Sequence, residues 1–222
     1  MSDDLPQPGQ SRDVLIQGPA GHIESLIAAP RADVEPAGFA VVCHPHPLFG
    51  GALSNKVTYA LASCALQAGF FAARFNFRGV GKSEGLHDDG RGETDDTVAV
   101  VEWMRQRQPG APLLLMGFSF GAFVSIQAAA RARPSLQVSI APPFAKYFDG
   151  APLPPRPPCP WLVVQGRDDD VVDFADTQVR LAHYQPPPEV VSFDGVGHFF
   201  HGRLGDLQNA VTEFITRHLR RS

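Results

Sequence analysis

Leu113-Leu114-Leu115-Met116-Gly117-Phe118-Ser119-Phe120-Gly121-Ala122, continued by an Ala-rich stretch to Arg131, is the segment whose reading decides the fold. An apolar run that stops at a glycine reads as a buried strand, and the Ala-rich stretch reads as a helix. Between them stands Gly-x-Ser-x-Gly, in the strand, sharp turn and helix context that can hold a serine hydroxyl above the end of a sheet. The two glycines let the chain turn tightly and keep Ser119 in a strained conformation. The helix that follows would aim its N-terminal N–H groups at the place where negative charge develops. Taken alone, the pentapeptide also fits a plain glycine-rich turn, so the rest of the chain has to decide.

A nucleophilic serine needs a base and a carboxylate, and two later strand candidates end in loops that carry them. Trp161-Leu162-Val163-Val164 is apolar throughout and stops at Gly166, before Arg167-Asp168-Asp169-Asp170-Val171-Val172. Val190-Val191-Ser192-Phe193 stops at Asp194-Gly195-Val196-Gly197 and delivers His198. Ser, then Asp, then His is one of the chain orders in which such a triad occurs. His201 competes with His198, but it falls where the last helix should begin, whereas His198 lies directly after a strand.

At these residues the chain resembles the α/β-hydrolases, and more narrowly the small, nearly capless bacterial members of that superfamily. The matching stretches are His44-Pro45-His46-Pro47-Leu48-Phe49-Gly50-Gly51, Asn76-Phe77-Arg78-Gly79-Val80-Gly81-Lys82-Ser83-Glu84-Gly85, the Ser119 pentapeptide, Gly166 to Val172, and Gly197-His198-Phe199-Phe200-His201-Gly202. The resemblance implies Ser119 as nucleophile, Asp169 as acid and His198 as base. Asp169 is selected by the family's Gly-x-x-Asp spacing from Gly166; Asp170 is the runner-up, and Asp168 reads as a solvated or turn-making neighbour. The implied chemistry is acyl transfer on a small carboxylic ester, with no metal and no organic cofactor. A thioester, a small amide, or a catalytically idle binding protein on the same fold are the alternatives. An oxyanion hole would take the Phe120 N–H and a second donor from the loop after Phe39-Ala40-Val41-Val42-Cys43. Pro45 and Pro47 have no N–H, which leaves His46 and Leu48 open.

Three other patterns point elsewhere and are weaker. His44-x-His46 has the spacing of a metal pair, but the Asp-His expected soon after it is replaced by Leu48-Phe49-Gly50. Gly81-Lys82-Ser83 ends like a phosphate-binding loop, yet Asn76 stands where the leading glycine should be, and the segment after Ser83 does not open a helix. Gly79-x-Gly81 lacks the helix of a dinucleotide fingerprint.

At 222 residues the chain suits a single domain with one well-buried core, and its net charge of -4 offers no basic field for nucleic acid. Cys43, Cys64 and Cys159 have no disulfide or metal spacing and read as buried thiols of a reducing compartment. The polar, acidic N-terminus lacks a secretory pattern, and no apolar run reaches the roughly 20 residues of a membrane span. A cytoplasmic protein is expected, acting on a small-molecule ester, with a homodimer left open.

Coarsely, Val14 to Gln17 and His22 to Ala28 flank Gly18-Pro19-Ala20-Gly21 as an antiparallel hairpin. Apolar strand candidates follow near 39–43, 70–75, 112–117, 136–140, 160–165 and 189–193, without polar alternation, as in a mostly parallel sheet covered on both faces. Helices are predicted over 55–68, 93–107 and 204–219, and residues 1–12 are expected to fray. Ala141 to Pro160 stands where relatives insert a helical cap, but it is too short and too rich in proline to form one. The site should therefore be open, with Phe144, Tyr147 and Phe148, together with Leu48, Phe49, Phe118, Phe120, Phe199 and Phe200, as candidate walls of a shallow pocket.

Overall fold

The computed structural model describes residues 4–147 and 153–219. Strands β1 (Ser11–Gly18) and β2 (Gly21–Ala28) form the hairpin, closed by the Gly18–Gly21 pair across two residues. The other strands are β3 (Gly38–Cys43), β4 (Phe70–Phe75), β5 (Leu113–Phe118), β6 (Leu136–Ile140), β7 (Trp161–Gly166) and β8 (Glu189–Phe193). All eight lie in one sheet of order β1-β2-β4-β3-β5-β6-β7-β8; β2 is antiparallel to both its neighbours and the rest run parallel.

Along β3 the side chains alternate between two cores, as the two-residue period of a strand requires. Phe39, Val41 and Cys43 join α2 (Arg91–Arg107) and α3 (Phe120–Ala132) on one face. Ala40 and Val42 join α1 (Lys56–Gln67) and α6 (Leu204–Leu219) on the other. Because both faces are covered, β3 and β5 carry no polar side chain, whereas β6 alternates and buries Gln137 and Ser139.

The chain leaves β3 to one side to form β4, then crosses back to form β5 on the other side. This reversal opens a crevice beyond the C-terminal ends of β3 and β5, where open α/β sheets bind ligands. Cys43 pairs with Gly117 there, so the loop after β3 and the turn after β5 emerge side by side.

Two expectations need correction. Residues 4–12 are held: the Gly9 N–H donates to the Pro30 carbonyl (2.8 Å), the Ala29 N–H donates to the Gln10 carbonyl (2.9 Å), and Leu5 packs on the core. Helix α5 (Phe174–Leu181), absent from the sequence reading, is started by the Asp173 carboxylate, which accepts from the Asp176 N–H at 2.6 Å. The Pro-rich segment contributes the four-residue helix α4 (Phe144–Tyr147) and then, from Leu153, an extended stretch laid against the body. There the Tyr184 hydroxyl donates to the Pro154 carbonyl at 3.1 Å. Phe148 and the side chain of Tyr147 lie outside the described residues.

Candidate active site

Ser119 sits between β5 and α3 with φ 53° and ψ −122°, a conformation that L-residues avoid. Its N–H donates to the Ile140 carbonyl (2.8 Å), and its own carbonyl accepts from Ala122 and Phe123, so both neighbours hold it there. The flanking glycines act by close approach; neither has positive φ. A Cβ on Gly117 would stand 2.2 Å from the Gly121 carbonyl oxygen, and one on Gly121 would stand 2.4 Å from the carbonyl oxygens of Cys43 and His44. The pentapeptide thus lets the first turn of α3 press against the ends of β3 and β5.

Ser119, His198 and Asp169 come from three different loops and form one chain of hydrogen bonds. The Ser119 hydroxyl lies 2.9 Å from His198 Nε2, and His198 Nδ1 lies 2.8 and 3.1 Å from the two Asp169 oxygens. A carboxylate only accepts, so Nδ1 carries the proton and Nε2 accepts from the serine. Asp169 Oδ1 also accepts from the N–H groups of Val171 (2.9 Å) and Val172 (2.7 Å), and its side chain is fully buried. Asp168 and Asp170 are exposed. The loops carrying Asp169 and His198 are tied together by the Asp168 N–H on the Val196 carbonyl (3.1 Å). Buried Gln165 steadies the acid loop by donating to the Val172 carbonyl at 2.8 Å. His201 is exposed in the turn before α6.

The loop after β3 is locked by hydrogen bonds of its histidines, and among the described residues no three or more His, Cys, Asp or Glu are grouped as a metal site requires. His44 donates from Nδ1 to the Pro45 carbonyl (2.6 Å) and accepts at Nε2 from the Phe77 N–H (3.0 Å). His46 Nδ1 accepts from the Leu48 N–H at 3.2 Å, capping a 3-10 turn over Pro47–Phe49. Asn76 accepts from the Leu53 N–H (2.8 Å), and Ser83 donates to the Asn76 carbonyl (2.7 Å). The Gly-rich stretch that mimics a phosphate loop is therefore a brace for this one, and α2 starts only at Arg91.

Burial pushes the His44 pKa down to about 4 from 6.5, because protonation would strand a charge and abolish acceptance from Phe77. The folded protein therefore binds this proton less well than the unfolded chain. The stabilisation is whole above pH ~6.5 and is lost as pH falls towards about 4, to the extent of about 3 kcal/mol. Urea unfolding at pH 7.5 and 4.5 should show this slope in the wild type and a shallower one in His44→Gln. Equal slopes would show that His44 is not the group responsible.

The site opens into a cavity of about 340 Å³ lined by Pro45, His46, Phe49, Ser119, Phe120, Pro143, Lys146, Val171, Val172, His198 and Phe199, among others. Phe49 and Phe199 flank its mouth, 85% and 46% exposed. Phe118 and Phe144 do not line it, contrary to the sequence expectation. Phe118 leaves β5 on the face opposite α3 and is buried beneath His198, with ring centroids 4.9 Å apart. Phe144 turns inward against Tyr184. Phe200 is also core, and the Leu48 side chain points to solvent. The walls that sequence reading missed, Pro143, Lys146, Val171 and Val172, carry no motif and meet only through the fold. Cys43, Cys64 and Cys159 are all buried, and burial pushes the Cys43 thiol up to about 12, so no thiolate competes with the serine.

Known proteins share this fold. The family model described as X-Pro dipeptidyl-peptidase (S15 family) matches residues 21–149, which include Ser119 but not Asp169 or His198. An uncharacterized protein of Rickettsia prowazekii is 34% identical over 212 residues, or 91% of this chain and 87% of its own length. A serine hydrolase without a lid from Xanthomonas campestris superposes with a TM-score of 0.87 at 38% identity, over 95% of this chain and 96% of that one. A serine hydrolase homologue from Coxiella burnetii superposes with a TM-score of 0.86, also at 38% identity, over 95% and 99%. No helix among the described residues is long and apolar enough to cross a membrane. The chain is thus an α/β-hydrolase, an enzyme of the small serine hydrolase type, and it belongs to the family that the X-Pro dipeptidyl-peptidase (S15) model describes.

Proposed function

We propose that this enzyme hydrolyses small carboxylic esters through an acyl-enzyme formed on Ser119. The observation that carries the reading is the continuous Ser119–His198–Asp169 hydrogen-bond chain at the floor of an open cavity. His198 Nε2 takes the serine proton as Oγ attacks the carbonyl carbon, then returns it to the departing alkoxide, which leaves as the alcohol. Water repeats the sequence, releasing the acid and restoring the serine. Asp169 holds the tautomer and stabilises the imidazolium. The oxyanion would be met by the N–H of Phe120, at the positive end of α3, and by one from the loop after β3. His46 and Leu48 are the two candidates for that second donor, and the Leu48 N–H already donates to the His46 ring. Each such donor is worth about 3 kcal/mol in the transition state. No step requires a metal or an organic cofactor. The reaction is assigned to the cytoplasm.

Labelling of the native protein by a fluorophosphonate, with chelator-insensitive turnover of p-nitrophenyl acetate, tests the reading. Absence of both would overturn it. The family model's name suggests amide cleavage by the same groups, and an X-Pro p-nitroanilide is the matching probe. Faster turnover of that anilide than of p-nitrophenyl acetate would favour the amide.

A cavity of about 340 Å³ lies near the small end of ligand pockets, about 300–1,000 Å³. Each buried methylene is worth about 0.8 kcal/mol, roughly fourfold in rate, only while the wall continues. kcat/KM for p-nitrophenyl esters should accordingly peak at about two to six acyl carbons and then fall. A rise continuing to about twelve carbons would mean that a longer apolar track extends from the cavity.

A further inference from the structure

Histidines aside, Lys146 is the one ionisable side chain lining the cavity among the described residues. It lies on α4, exposed, and shares the cavity lining with Phe49, Val171 and Phe199. The carboxylates nearest the site are committed elsewhere. Asp169 is bonded to His198, while Glu93 and Asp89 face His87 at 2.8 and 3.4 Å. Asp168 and Asp170 are exposed and do not line the cavity. No described carboxylate forms an ion pair with Lys146. Burial, followed by the charge of His87, holds His46 below its ordinary pKa, and Lys146 adds a smaller push in the same direction. An ammonium beside apolar walls attracts an anion more strongly than one in open water, because the walls keep the local dielectric low.

We propose that the natural substrate is a small ester carrying a carboxylate, which Lys146 receives while Ser119 attacks the ester carbonyl. This deepens the hydrolase reading and rests on it. A single ammonium suits a monoanion; a phosphate would call for the arginine forks or multiple donors that the cavity lacks among its described residues. The same charge disfavours the peptide alternative, since a dipeptide released from a free N-terminus carries an ammonium of its own close to the scissile carbonyl, where Lys146 would repel it.

The carboxylate could sit in the acyl or the alcohol half, and two matched pairs of probes separate these cases. In the first pair, mono-p-nitrophenyl glutarate is compared with p-nitrophenyl pentanoate; in the second, 3-carboxyphenyl acetate with 3-carbamoylphenyl acetate. The measured quantity is the ratio of kcat/KM for the charged ester to that for its neutral partner. In one of the pairs Lys146→Ala should lower this ratio by about twofold to fivefold, mainly through KM, as expected for an ion pair at an exposed side chain. Lys146→Glu should lower it further, Lys146→Arg should restore it, and raised salt should reduce it in the wild type. Ratios that do not respond to these substitutions in either pair, with esters still turned over, overturn the anionic substrate and leave the hydrolase standing. No Ser119-dependent turnover of any of the four probes overturns the hydrolase reading, and the proposal with it.

Discussion

Ser119→Ala is expected to lower kcat/KM for p-nitrophenyl acetate by about four to six orders of magnitude, a loss of roughly 5–8 kcal/mol of transition-state stabilisation. The size follows from the way the groups depend on one another. His198 Nε2 has the serine hydroxyl 2.9 Å away as its partner, so without Oγ the base has only water to activate and no acyl-enzyme forms. What survives is the oxyanion site and substrate binding, which leave residual catalysis over water of about 10³–10⁴-fold in enzymes of this kind. Folding should be unaffected. Alanine keeps the Ser119 backbone bonds to Ile140, Ala122 and Phe123, and it has no greater difficulty than serine at φ 53°. The checks are an esterase assay against the buffer background and a denaturant midpoint matching the wild type. Activity above about a tenth of wild type in a folded Ser119→Ala would remove the serine from the mechanism.

The elements that position the site were legible wherever they were central. β3, β5 and β7 are buried on both faces, so their sequences are unbroken apolar runs that end at a polar or glycine residue, and the site residues follow those ends. The pentapeptide around Ser119 was legible because it must be small at two positions, although the reason differs from the expected one. The glycines answer to carbonyl oxygens 2.2–2.4 Å from where a Cβ would stand, and the backbone strain rests on Ser119 itself. The pocket was much less legible. Phe118 and Phe199 are both aromatic and both adjacent to a residue of the triad, yet one is wholly buried and the other 46% exposed. Which side a residue next to a turn faces depends on the direction in which the chain leaves the strand, and composition does not encode that. Lys146 gave no signal at all, since a lysine beside a Pro-rich loop is ordinary until the fold sets it against the mouth of a cavity. α5 went unread because eight residues carry little periodicity, although its Asp173 cap was present. Residues 4–12 looked unstructured by composition and are instead held by main-chain bonds to residues 29 and 30, which composition does not reveal either.

Asp169→Asn should reduce turnover about 10³- to 10⁴-fold, whereas Asp168→Asn and Asp170→Asn should stay within about twofold. The geometry decides how the new amide would sit. Asp169 Oδ1 accepts two backbone N–H groups, from Val171 at 2.9 Å and Val172 at 2.7 Å, and only the amide oxygen of asparagine can replace it there. The amide nitrogen must then occupy the place of Oδ2, 2.8 Å from His198 Nδ1. A donor now faces Nδ1, so Nδ1 has to accept and the ring proton moves to Nε2. The nitrogen that should take the serine proton is already protonated, while the loop, the cavity and the packing of His198 on Phe118 remain as they were. The loss should therefore appear in kcat and kcat/KM together, with the denaturant midpoint little changed. Neighbouring Asp168 and Asp170 are exposed and have no bond to His198, which makes them internal controls for charge alone. If Asp170→Asn were instead the damaging change, the acid loop would be offset by one residue in the working enzyme, and the Val171 and Val172 bonds would have to be made by a different carboxylate.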